Sequence, residues 1–395
     1  MRILFFYSHP FNPSNGGIER VTDIISNCLV SEYGFEVFYL CGKVEGEIVQ
    51  KTAGIQQSAL PYDGFFTLEE NVQYFVSFIK HNRIDVVISQ SGMWAYMDRM
   101  FDLVDTKFIS VIHSSPYAEY IESKHNYFIP SRTLGGYFKW LVKVFLYPIY
   151  GKYLLKRSKD AIDSHYNYLL EKSDAVVVLS IKYIDDLVKL DTSNAFKLTS
   201  IHNPTVIKAN KVDFSKKEKV ILYIGRLDPL LKCPIELLKI WRVLYNDYPE
   251  WRLVFVGEGS GRAEMEKYIA RYDIPRVIFE GKKEDVEPYY EKAAIVSLVS
   301  RCEGWGMALT EGMERGCVPI CYNNYGAAED IIDDGINGFL VPDGKKKDYA
   351  DALRRIMSND DLLAKMSAAA YVKVQQFASE RIAKQWAELI CSITK

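Results

Sequence analysis

Short apolar segments alternate with stretches of helical periodicity along the whole chain. Apolar runs of strand length predict buried strands, and the periodic stretches between them predict amphipathic helices. Because consecutive parallel strands must be joined by a crossover, usually a helix, this alternation predicts α/β layers built on parallel sheets. With 395 residues, the chain is long enough for two or three such domains.

The predicted strands fall into two sets, one in each half of the chain. The first set is Ile3–Tyr7, Glu36–Leu40, Val86–Ser89, Phe108–Ile112, Ala175–Leu179 and a short strand near Thr199. The second set is Val220–Ile224, Arg252–Val256, Val277–Glu280, Ala294–Leu298, Val318–Cys321 and Gly338–Val341. Each set nearly makes one doubly wound sheet, so we expect two Rossmann-like domains facing a cleft.

The boundary between the two domains is predicted near residue 205. Asn203-Pro204 ends a strand, and the polar run over residues 208–219 has few large apolar side chains, as expected of a linker. We therefore expect an N-terminal domain over residues 1–205 and a C-terminal domain over residues 206–378. Residues 379–395 are expected to form an amphipathic helix that packs back on the N-terminal domain.

The composition excludes several classes of protein. Lys and Arg (49) nearly balance Asp and Glu (51), for a net charge of -2, so we expect no nucleic-acid partner. Scattered cysteines without a C-x-x-C pair indicate a reducing compartment, and we expect a cytoplasmic protein. The most apolar stretch, Trp140–Tyr150, contains Lys143 and Pro148 and is too short to span a bilayer. Attachment to the inner face of the cell membrane would then be peripheral.

The strongest candidate site follows the fourth predicted strand of the second set. A glycine-rich turn ends at Gly306, and a helix is predicted from Met307 to Arg315. The N–H groups near Met307 and Ala308, together with the positive end of the helix dipole, predict a site for phosphate.

Two glutamates flank this turn. Glu303 precedes the predicted helix, and Glu311 lies inside it. Carboxylates repel phosphate, so we expect sugar or ribose hydroxyl groups as their partners. The alternative is two solvated surface glutamates. Gly312, in the helix interior, costs about 1 kcal/mol relative to Ala and indicates that something approaches the helix closely.

Two further loops of the second half have the composition of a nucleotide site. Arg226 and Lys232 follow the first strand of that half, where two cations can neutralise a diphosphate, although such pairs are commonly plain surface cations. The loop that begins at Gly257 is a G-x-G-x-G sequence and is weak evidence for NAD. We interpret it as a tight turn that lets a base or ribose approach the backbone.

In the first half, two features point to the predicted cleft. Gly16-Gly17 lies at the start of a predicted helix and is a second potential anion site. His113 follows a predicted strand and is expected to face the cleft, the alternative being a structural histidine. The sequence has no D-x-D triplet and no cluster of His, Cys and carboxylates with metal-ligand spacing, so we expect no metal.

Four motifs occur together in this chain. They are Glu303 and Glu311 in E-x7-E spacing, Gly225-Arg226-Leu227 with Lys232, the run from Gly16 to Val21, and the run from Asp334 to Pro342. Together they resemble the retaining glycosyltransferases of the GT-B fold, family 4, also described as glycosyl transferases group 1. The resemblance extends over essentially the whole chain and is more specific in its second half.

The resemblance implies transfer of a sugar from a nucleotide-diphosphate donor, UDP-linked in the frequent case, to a glycan or lipid-linked acceptor. Such reactions build surface polysaccharides and glycoconjugates. The N-terminal domain would bind the acceptor, and the C-terminal domain would bind the nucleotide-sugar. By the same resemblance, Arg226 and Lys232 would hold the diphosphate with help from the N–H groups of Gly306 to Ala308. Glu303 would hold donor sugar hydroxyls, and Glu311 would hold ribose hydroxyls.

The resemblance also implies how the reaction proceeds. The acceptor attacks the face from which the leaving group departs, and the donor phosphate accepts its proton, so neither a catalytic base nor a cofactor is implied. His113 would lie at the sugar on the acceptor side, and Gly17 would approach the diphosphate. Two positions depart from the family pattern: Cys233 replaces a usual glycine, and Tyr325-Gly-Ala-Ala-Glu329 replaces Gly-Gly-Pro-x-Glu.

Two other functions fit the same architecture. A nucleotide-sugar 2-epimerase would keep the diphosphate site and would act on the donor without an acceptor. A non-catalytic partner subunit would keep the fold and would bind no nucleotide; the intact set of Arg226, Lys232, Glu303 and Glu311 argues against it.

Residues 124–159 form a basic aromatic segment. They include eight Lys or Arg, no Asp or Glu, and many Tyr, Phe and Trp side chains. This mixture is expected of a helix or loop that lies in a lipid interface. We therefore expect the segment to dock on an anionic membrane, the alternative being a helix pair with an ordinary solvated basic face.

Overall fold

The computed structural model describes residues 1–14, 16–44, 54–91, 100, 103–128, 134–207, 212 and 216–395. The chain divides into two compact units. The first unit is Met1–Pro116, Ser164–Val206 and Phe377–Lys395; the second is Tyr117–Asp163 and Ile207–Gln376. The segment Tyr117–Asp163 lies within the domain expected over residues 1–205, yet it groups with the second unit. Most of the expected linker lies outside the described residues.

A parallel sheet forms the centre of the first unit, with strand order β3-β2-β1-β4-β5-β6-β7. Its strands are β1 (Arg2–Tyr7), β2 (Glu36–Cys41), β3 (Gln56–Ala59), β4 (Val86–Ser89), β5 (Lys107–Ile112), β6 (Ala175–Val178) and β7 (Leu198–Ser200). The helices of the first half are α1 (Gly17–Tyr33), α2 (Glu69–Asn82), α3 (Ala118–Tyr127), α4 (Leu134–Phe145), α5 (Lys152–Lys172) and α6 (Ile181–Val188).

The second unit contains another parallel sheet, with order β10-β9-β8-β11-β12-β13. Its strands are β8 (Glu218–Ile224), β9 (Arg252–Val256), β10 (Val277–Gly281), β11 (Ala293–Leu298), β12 (Val318–Asn323) and β13 (Phe339–Pro342). The remaining helices are α7 (Pro234–Trp241), α8 (Arg262–Tyr272), α9 (Glu287–Lys292), α10 (Met307–Glu314), α11 (Ala328–Ile331), α12 (Lys346–Met357), α13 (Asp360–Val374) and α14 (Ser379–Ile393).

The two parallel sheets that the apolar runs predicted are confirmed. Every predicted strand is present with its ends within two residues of those expected. The central strands β4 and β11 are buried at every position, as expected for parallel strands covered on both faces. The edge strand β3, with the sequence Gln-Gln-Ser-Ala, was not predicted.

Both sheets contain a point at which the strand order reverses. In the first sheet β1 lies between β2 and β4, and in the second sheet β8 lies between β9 and β11. At such a point the loops that leave neighbouring strands turn to opposite faces of the sheet and open a crevice at the carboxyl ends of the strands. Each unit therefore positions a ligand site at the ends of a defined strand pair.

Helix α14 packs against α1 within the first unit. The amide of Thr205 donates to the carbonyl of Phe377 at 2.7 Å, and the amide of Ser379 donates to the carbonyl of Thr205 at 3.2 Å. These two bonds fix the point at which the chain returns to the first unit. Trp386 and Ile390 of α14 are buried.

The loops that follow β8 and β9 cross at their backbones. Gly257 has φ +136°, and its amide donates to the carbonyl of Gly281 at 2.8 Å. A Cβ at Gly257 would overlap the carbonyl oxygen of Gly225. The conformation and the crossing both require glycine here, so the close neighbour of Gly257 is the protein's own backbone.

The backbone crossing of Gly257 with Gly225 predicts how much the free energy of unfolding falls when a methyl group is added at Gly257. Gly335→Ala, at φ +74° with open space around the position, should lower the free energy of unfolding by about 1 kcal/mol through backbone strain. Gly257→Ala should lower it by about 3 kcal/mol or more, because the collision with Gly225 adds to that strain. Urea denaturation followed by tryptophan fluorescence measures both variants. Equal losses of stability would contradict the crossing.

Candidate active site

The loop between β8 and α7 is shaped by Asp228. Its Oδ1 accepts hydrogen bonds from the amides of Leu230 at 2.7 Å and Leu231 at 3.0 Å, and its carbonyl accepts from the amide of Cys233 at 2.8 Å. Cys233 caps α7 with φ +48°, which explains why glycine is the usual residue at this position of the family. This tight loop carries both cations that the sequence predicted at a diphosphate.

A second loop, between β11 and α10, is bonded directly to the first. The amide of Arg301 donates to the carbonyl of Leu231 at 2.8 Å, and its Nη1 donates to the carbonyl of Leu230 at 2.8 Å. The two loops follow the neighbouring strands at which the sheet order reverses. Arg301 therefore holds them together at the carboxyl ends of β8 and β11.

Lys232 and Glu303 meet across these two loops. The Lys232 ammonium donates to both carboxylate oxygens of Glu303, at 2.6 and 2.7 Å. Their side chains are only 23% and 10% exposed. The sequence predicted separate roles for the two residues, and the structure adds that they are direct partners. Arg226 lies on the same loop as Lys232; the residue is exposed, and its carbonyl accepts the hydroxyl of Tyr223 at 2.9 Å.

Helix α10 begins directly after this pair of loops. Gly306 is its N-cap with φ +94°, and a Cβ there would lie 2.8 Å from the hydroxyl oxygen of Tyr325. Met307 and Ala308 form the first turn and are partly exposed. The first turn of a helix carries N–H groups that intrahelical bonds do not use, and its dipole is positive there. The start of α10 thus has the polarity expected of an anion site.

Glu311 lies inside α10 and is held by Tyr290. The Tyr290 hydroxyl donates to Glu311 Oε2 at 2.9 Å, and Tyr290 itself is buried on α9. This bond fixes the position of one carboxylate oxygen of Glu311. Tyr290 was not predicted, because a tyrosine in a short helix gives no sequence signal of such a contact.

The close approach that the sequence indicated at Gly312 is made by the protein itself. A Cβ at this position would lie 2.7 Å from Cγ1 of Val296 and 3.4 Å from Cβ of Cys317. The group that approaches α10 closely at Gly312 is therefore strand β11, and the glycine lets helix and strand pack together. Gly257 likewise contacts backbone, as described above.

The two site residues predicted in the first half lie in the first unit. Gly17 is the first residue of α1 and is exposed, while Gly16 before it is in an extended conformation. His113 directly follows β5 and is partly exposed. Its Nε2 lies 2.6 Å from Oε1 of Gln90, a residue at the end of β4 that the sequence did not predict. Burial lowers the pKa of His113 to about 4, so the imidazole is neutral at physiological pH.

The described ranges lack two features. Within them, no three His, Cys, Asp or Glu side chains form a group that could hold a metal ion. Within the same ranges, no helix combines the length and the apolar composition needed to cross a bilayer.

One segment of the chain matches a known protein family. Residues 207–373, which include both cations and both glutamates of the site, match the family described as Glycosyl transferases group 1. An uncharacterized glycosyltransferase of Haemophilus influenzae is 30% identical over 200 residues, which are 50% of this chain and 55% of that protein.

A second relative comes from Campylobacter jejuni. It is named GalNAc-alpha-(1->4)-GalNAc-alpha-(1->3)-diNAcBac-PP-undecaprenol alpha-1,4-N-acetyl-D-galactosaminyltransferase. It is 30% identical over 179 residues, which are 45% of this chain and 49% of that protein. The chain thus spans about half the length of these two relatives.

Among solved structures, HepE of Anabaena in complex with UDP and glucose is similar over the whole length. The TM-score is 0.74 at 18% sequence identity, with 99% of this chain and 100% of that chain covered. An identity this low establishes the fold. The segment 207–373 is therefore similar to glycosyl transferases group 1, and the chain as a whole has the GT-B fold that its sequence predicted.

Proposed function

We propose that this chain is a retaining glycosyltransferase that moves a sugar from a UDP-sugar to a hydroxyl of a glycan or lipid-linked acceptor. The observation that carries the proposal is the ion pair of Lys232 and Glu303, which joins the two switch-point loops just before α10. Two comparisons support it. The similar HepE structure holds UDP and glucose, and the name of the Campylobacter relative includes a PP-undecaprenol carrier. Assembly of a surface polysaccharide or glycoconjugate is the corresponding process.

The cations of the β8–α7 loop act on the leaving group. When the bond between sugar and phosphate breaks, negative charge develops on the diphosphate and positive charge on the sugar carbon. Fixed positive groups stabilise that transition state without having to reorganise. Arg226, Lys232 and the start of α10 are the groups proposed for this task. The Lys232 ammonium has three N–H donors, so it can keep Glu303 and still donate to a phosphate oxygen.

The two glutamates are proposed to bind hydroxyl groups of the donor. Glu303 is held by Lys232 and would accept hydroxyls of the sugar. Glu311 is held by the Tyr290 hydroxyl and would accept hydroxyls of the ribose. Because both carboxylates are already oriented by a donor within the protein, binding the nucleotide-sugar would require little further ordering of these side chains.

The proposed transfer keeps the anomeric configuration and uses no protein base. The acceptor oxygen attacks from the face that the diphosphate leaves, and a phosphate oxygen takes the acceptor proton as that bond breaks. In the first unit, His113 is proposed to contact the sugar on the acceptor side, and Gly17 is proposed to approach the diphosphate. The neutral imidazole of His113 suits contact with a hydroxyl.

The basic aromatic segment presents an apolar face on α4. Phe138, Val142 and Phe145 are spaced at helical intervals on this helix and are 66%, 58% and 83% exposed. Large apolar side chains rarely stay exposed together on a soluble surface without a partner. Tyr150 and Tyr153 extend the same exposed aromatic set beyond the helix.

Exposed cations accompany this face. They are Lys139, Lys143, Lys152, Lys156 and Arg157. Lys159 is instead paired with Asp163 at 2.7 Å, and Arg132 lies outside the described residues. We propose that this surface docks peripherally on an anionic membrane at the inner face of the cell and so brings a lipid-linked acceptor to the enzyme. Each Lys or Arg near such a surface contributes about 1 kcal/mol.

Replacing the paired lysine should lower turnover. Lys232→Ala removes a positive charge next to the proposed diphosphate and breaks the ion pair with Glu303, so kcat should fall by about a hundredfold or more. UDP release from a UDP-sugar with acceptor present is the measurement. Lys239→Ala is the matched control, because Lys239 forms an ion pair with Glu236 at the same 2.6 Å on helix α7. It should retain nearly full turnover.

Three results distinguish the rival functions: one from this assay, one from incubation with the donor alone, and one from nucleotide binding. Wild-type turnover in Lys232→Ala would contradict the assignment of the site. A C2-epimerised sugar formed from the donor alone would identify an epimerase instead. Absence of any nucleotide binding in the wild-type chain would identify a non-catalytic partner.

Activity should survive chelation, because the proposed leaving-group stabilisation comes from Arg226, Lys232 and α10 rather than from a divalent cation. The wild-type rate in excess EDTA should match the untreated rate. Complete loss in EDTA, restored by added Mn²⁺ or Mg²⁺, would contradict this part of the proposal.

The membrane surface predicts charge-dependent sedimentation with liposomes. The chain should sediment with anionic vesicles more than with neutral ones, and less as salt is added, because salt screens surface charge. Changing Lys139, Lys143, Lys152 and Lys156 to Glu should abolish the preference, and Phe138→Ser with Phe145→Ser should weaken attachment to anionic vesicles.

The matched control changes four exposed lysines elsewhere in the chain to Glu, with the same change in net charge: Lys267, Lys345, Lys347 and Lys365. This variant should sediment like the wild type. Equal recovery on neutral and anionic vesicles, or equal losses in both lysine sets, would contradict docking through residues 124–159.

A further inference from the structure

A chain of hydrogen bonds links His113 to helix α1 inside the first unit. His113 Nε2 lies 2.6 Å from Gln90 Oε1, and Gln90 Nε2 donates to Thr22 Oγ1 at 2.9 Å. Thr22 Oγ1 donates to the carbonyl of Ile18 at 2.8 Å. Gln90 is 1% exposed and Thr22 is fully buried. These hydrogen bonds connect the end of β4, the end of β5 and the start of α1.

The direction of each of these hydrogen bonds follows from the last acceptor, the carbonyl of Ile18. The Ile18 carbonyl can only accept, so Thr22 gives it the hydroxyl hydrogen. The Thr22 oxygen then accepts, which requires that the Gln90 amide nitrogen faces Thr22 and that its Oε1 faces the histidine. Since Oε1 can only accept, His113 must donate from Nε2.

We infer that Gln90 is a positioning residue that presents His113 as a hydrogen-bond acceptor, so that Nδ1 receives the hydrogen of a ligand hydroxyl. With Nε2–H committed to Gln90, Nδ1 carries the lone pair of the neutral ring. Within the described residues Nδ1 has no protein partner, and His113 is partly exposed. Among the described residues, no protein group therefore competes with a ligand for this lone pair.

This arrangement selects the chemical class of the ligand group. A neutral imidazole that offers only a lone pair attracts a hydroxyl hydrogen and repels the oxygens of a phosphate or carboxylate. The burial that lowers the pKa of His113 to about 4 keeps the ring from gaining a second proton near neutral pH. A sugar hydroxyl is therefore the group that His113 binds, an identification that rests on the proposed function.

Nitrogen NMR tests the tautomer without any substrate. In the full chain labelled with ¹⁵N-histidine, long-range ¹H–¹⁵N spectra near neutral pH distinguish the Nε2–H tautomer, the Nδ1–H tautomer and the imidazolium. The His113→Gln variant assigns the signal among the six histidines of the sequence. The expected result is the Nε2–H form with an unprotonated Nδ1. An Nδ1–H ring or an imidazolium would overturn the inference, even with glycosyl transfer intact.

Substitution of Gln90 tests its role. Gln90→Leu should leave His113 as a mixture of tautomers, whereas Gln90→Glu keeps an acceptor oxygen and should keep the Nε2–H form. Gln57→Leu is the matched control, since Gln57 is also buried in the first unit, where its Oε1 accepts from the Phe11 amide. An unchanged His113 signal in a folded Gln90→Leu protein would overturn the positioning role.

Thr22→Val covers the case in which Gln90→Leu fails to fold. This substitution removes the acceptor that orients the Gln90 amide, so it should also give a mixture of His113 tautomers. A pure Nε2–H signal in this variant would count against orientation of His113 through Gln90 and Thr22.

Kinetics supply a second readout. Gln90→Leu should raise KM about fivefold for the substrate whose hydroxyl is bound, with a smaller change in kcat, and Gln90→Glu should restore most of the loss. An equal loss in Gln90→Leu and Gln57→Leu would indicate a structural effect only. If the wild type transfers no sugar from any UDP-sugar, the proposed function fails while the NMR result still decides the tautomer.

Discussion

Lys232 and Glu303 meet across two loops that are 71 residues apart in the sequence. Both side chains are largely removed from water, and an ion pair in such surroundings contributes little net stability because desolvation offsets its attraction. We propose that its role is functional: the pair holds the Lys232 ammonium beside Glu303, just before α10, where a diphosphate would meet both positive groups. Loss of either residue would break this ion pair and leave the other charge in surroundings with little water.

The strand order explains why the candidate residues gather as they do. In each unit, several residues with a proposed role follow the carboxyl ends of strands at or near the point of reversal. In the second unit these ends carry Lys232 and Glu303. In the first unit they carry Gln90 and His113, with Gly17 at the start of α1. The same topology thus produces a charged site in one unit and a neutral hydrogen-bonded site in the other.

Much of this organisation could be predicted from the sequence, and the remainder depends on contacts that spacing does not encode. Buried parallel strands are continuous apolar runs, so twelve of the thirteen strands in the described residues were predicted, while polar β3 is a strand only because β2 pairs with it. The glycine-rich turn predicted the start of α10 at Met307 correctly. The partners Tyr290, Gln90 and Thr22 were missed because each reaches its target from a distant part of the chain. The close approach that Gly312 indicated is real, but spacing could not show that strand β11 makes it.

The central claim is that the second unit holds the diphosphate of a UDP-sugar at Lys232 and α10, and calorimetric titration tests it most directly. Uridine, UMP and UDP would be titrated into the wild-type chain and into Lys232→Ala. The wild type should bind UDP far more tightly than uridine, because most of the affinity comes from the phosphates, and this preference should shrink by about tenfold or more in the variant. Equal affinity of the wild type for uridine and UDP, or an unchanged preference in Lys232→Ala, would contradict the account.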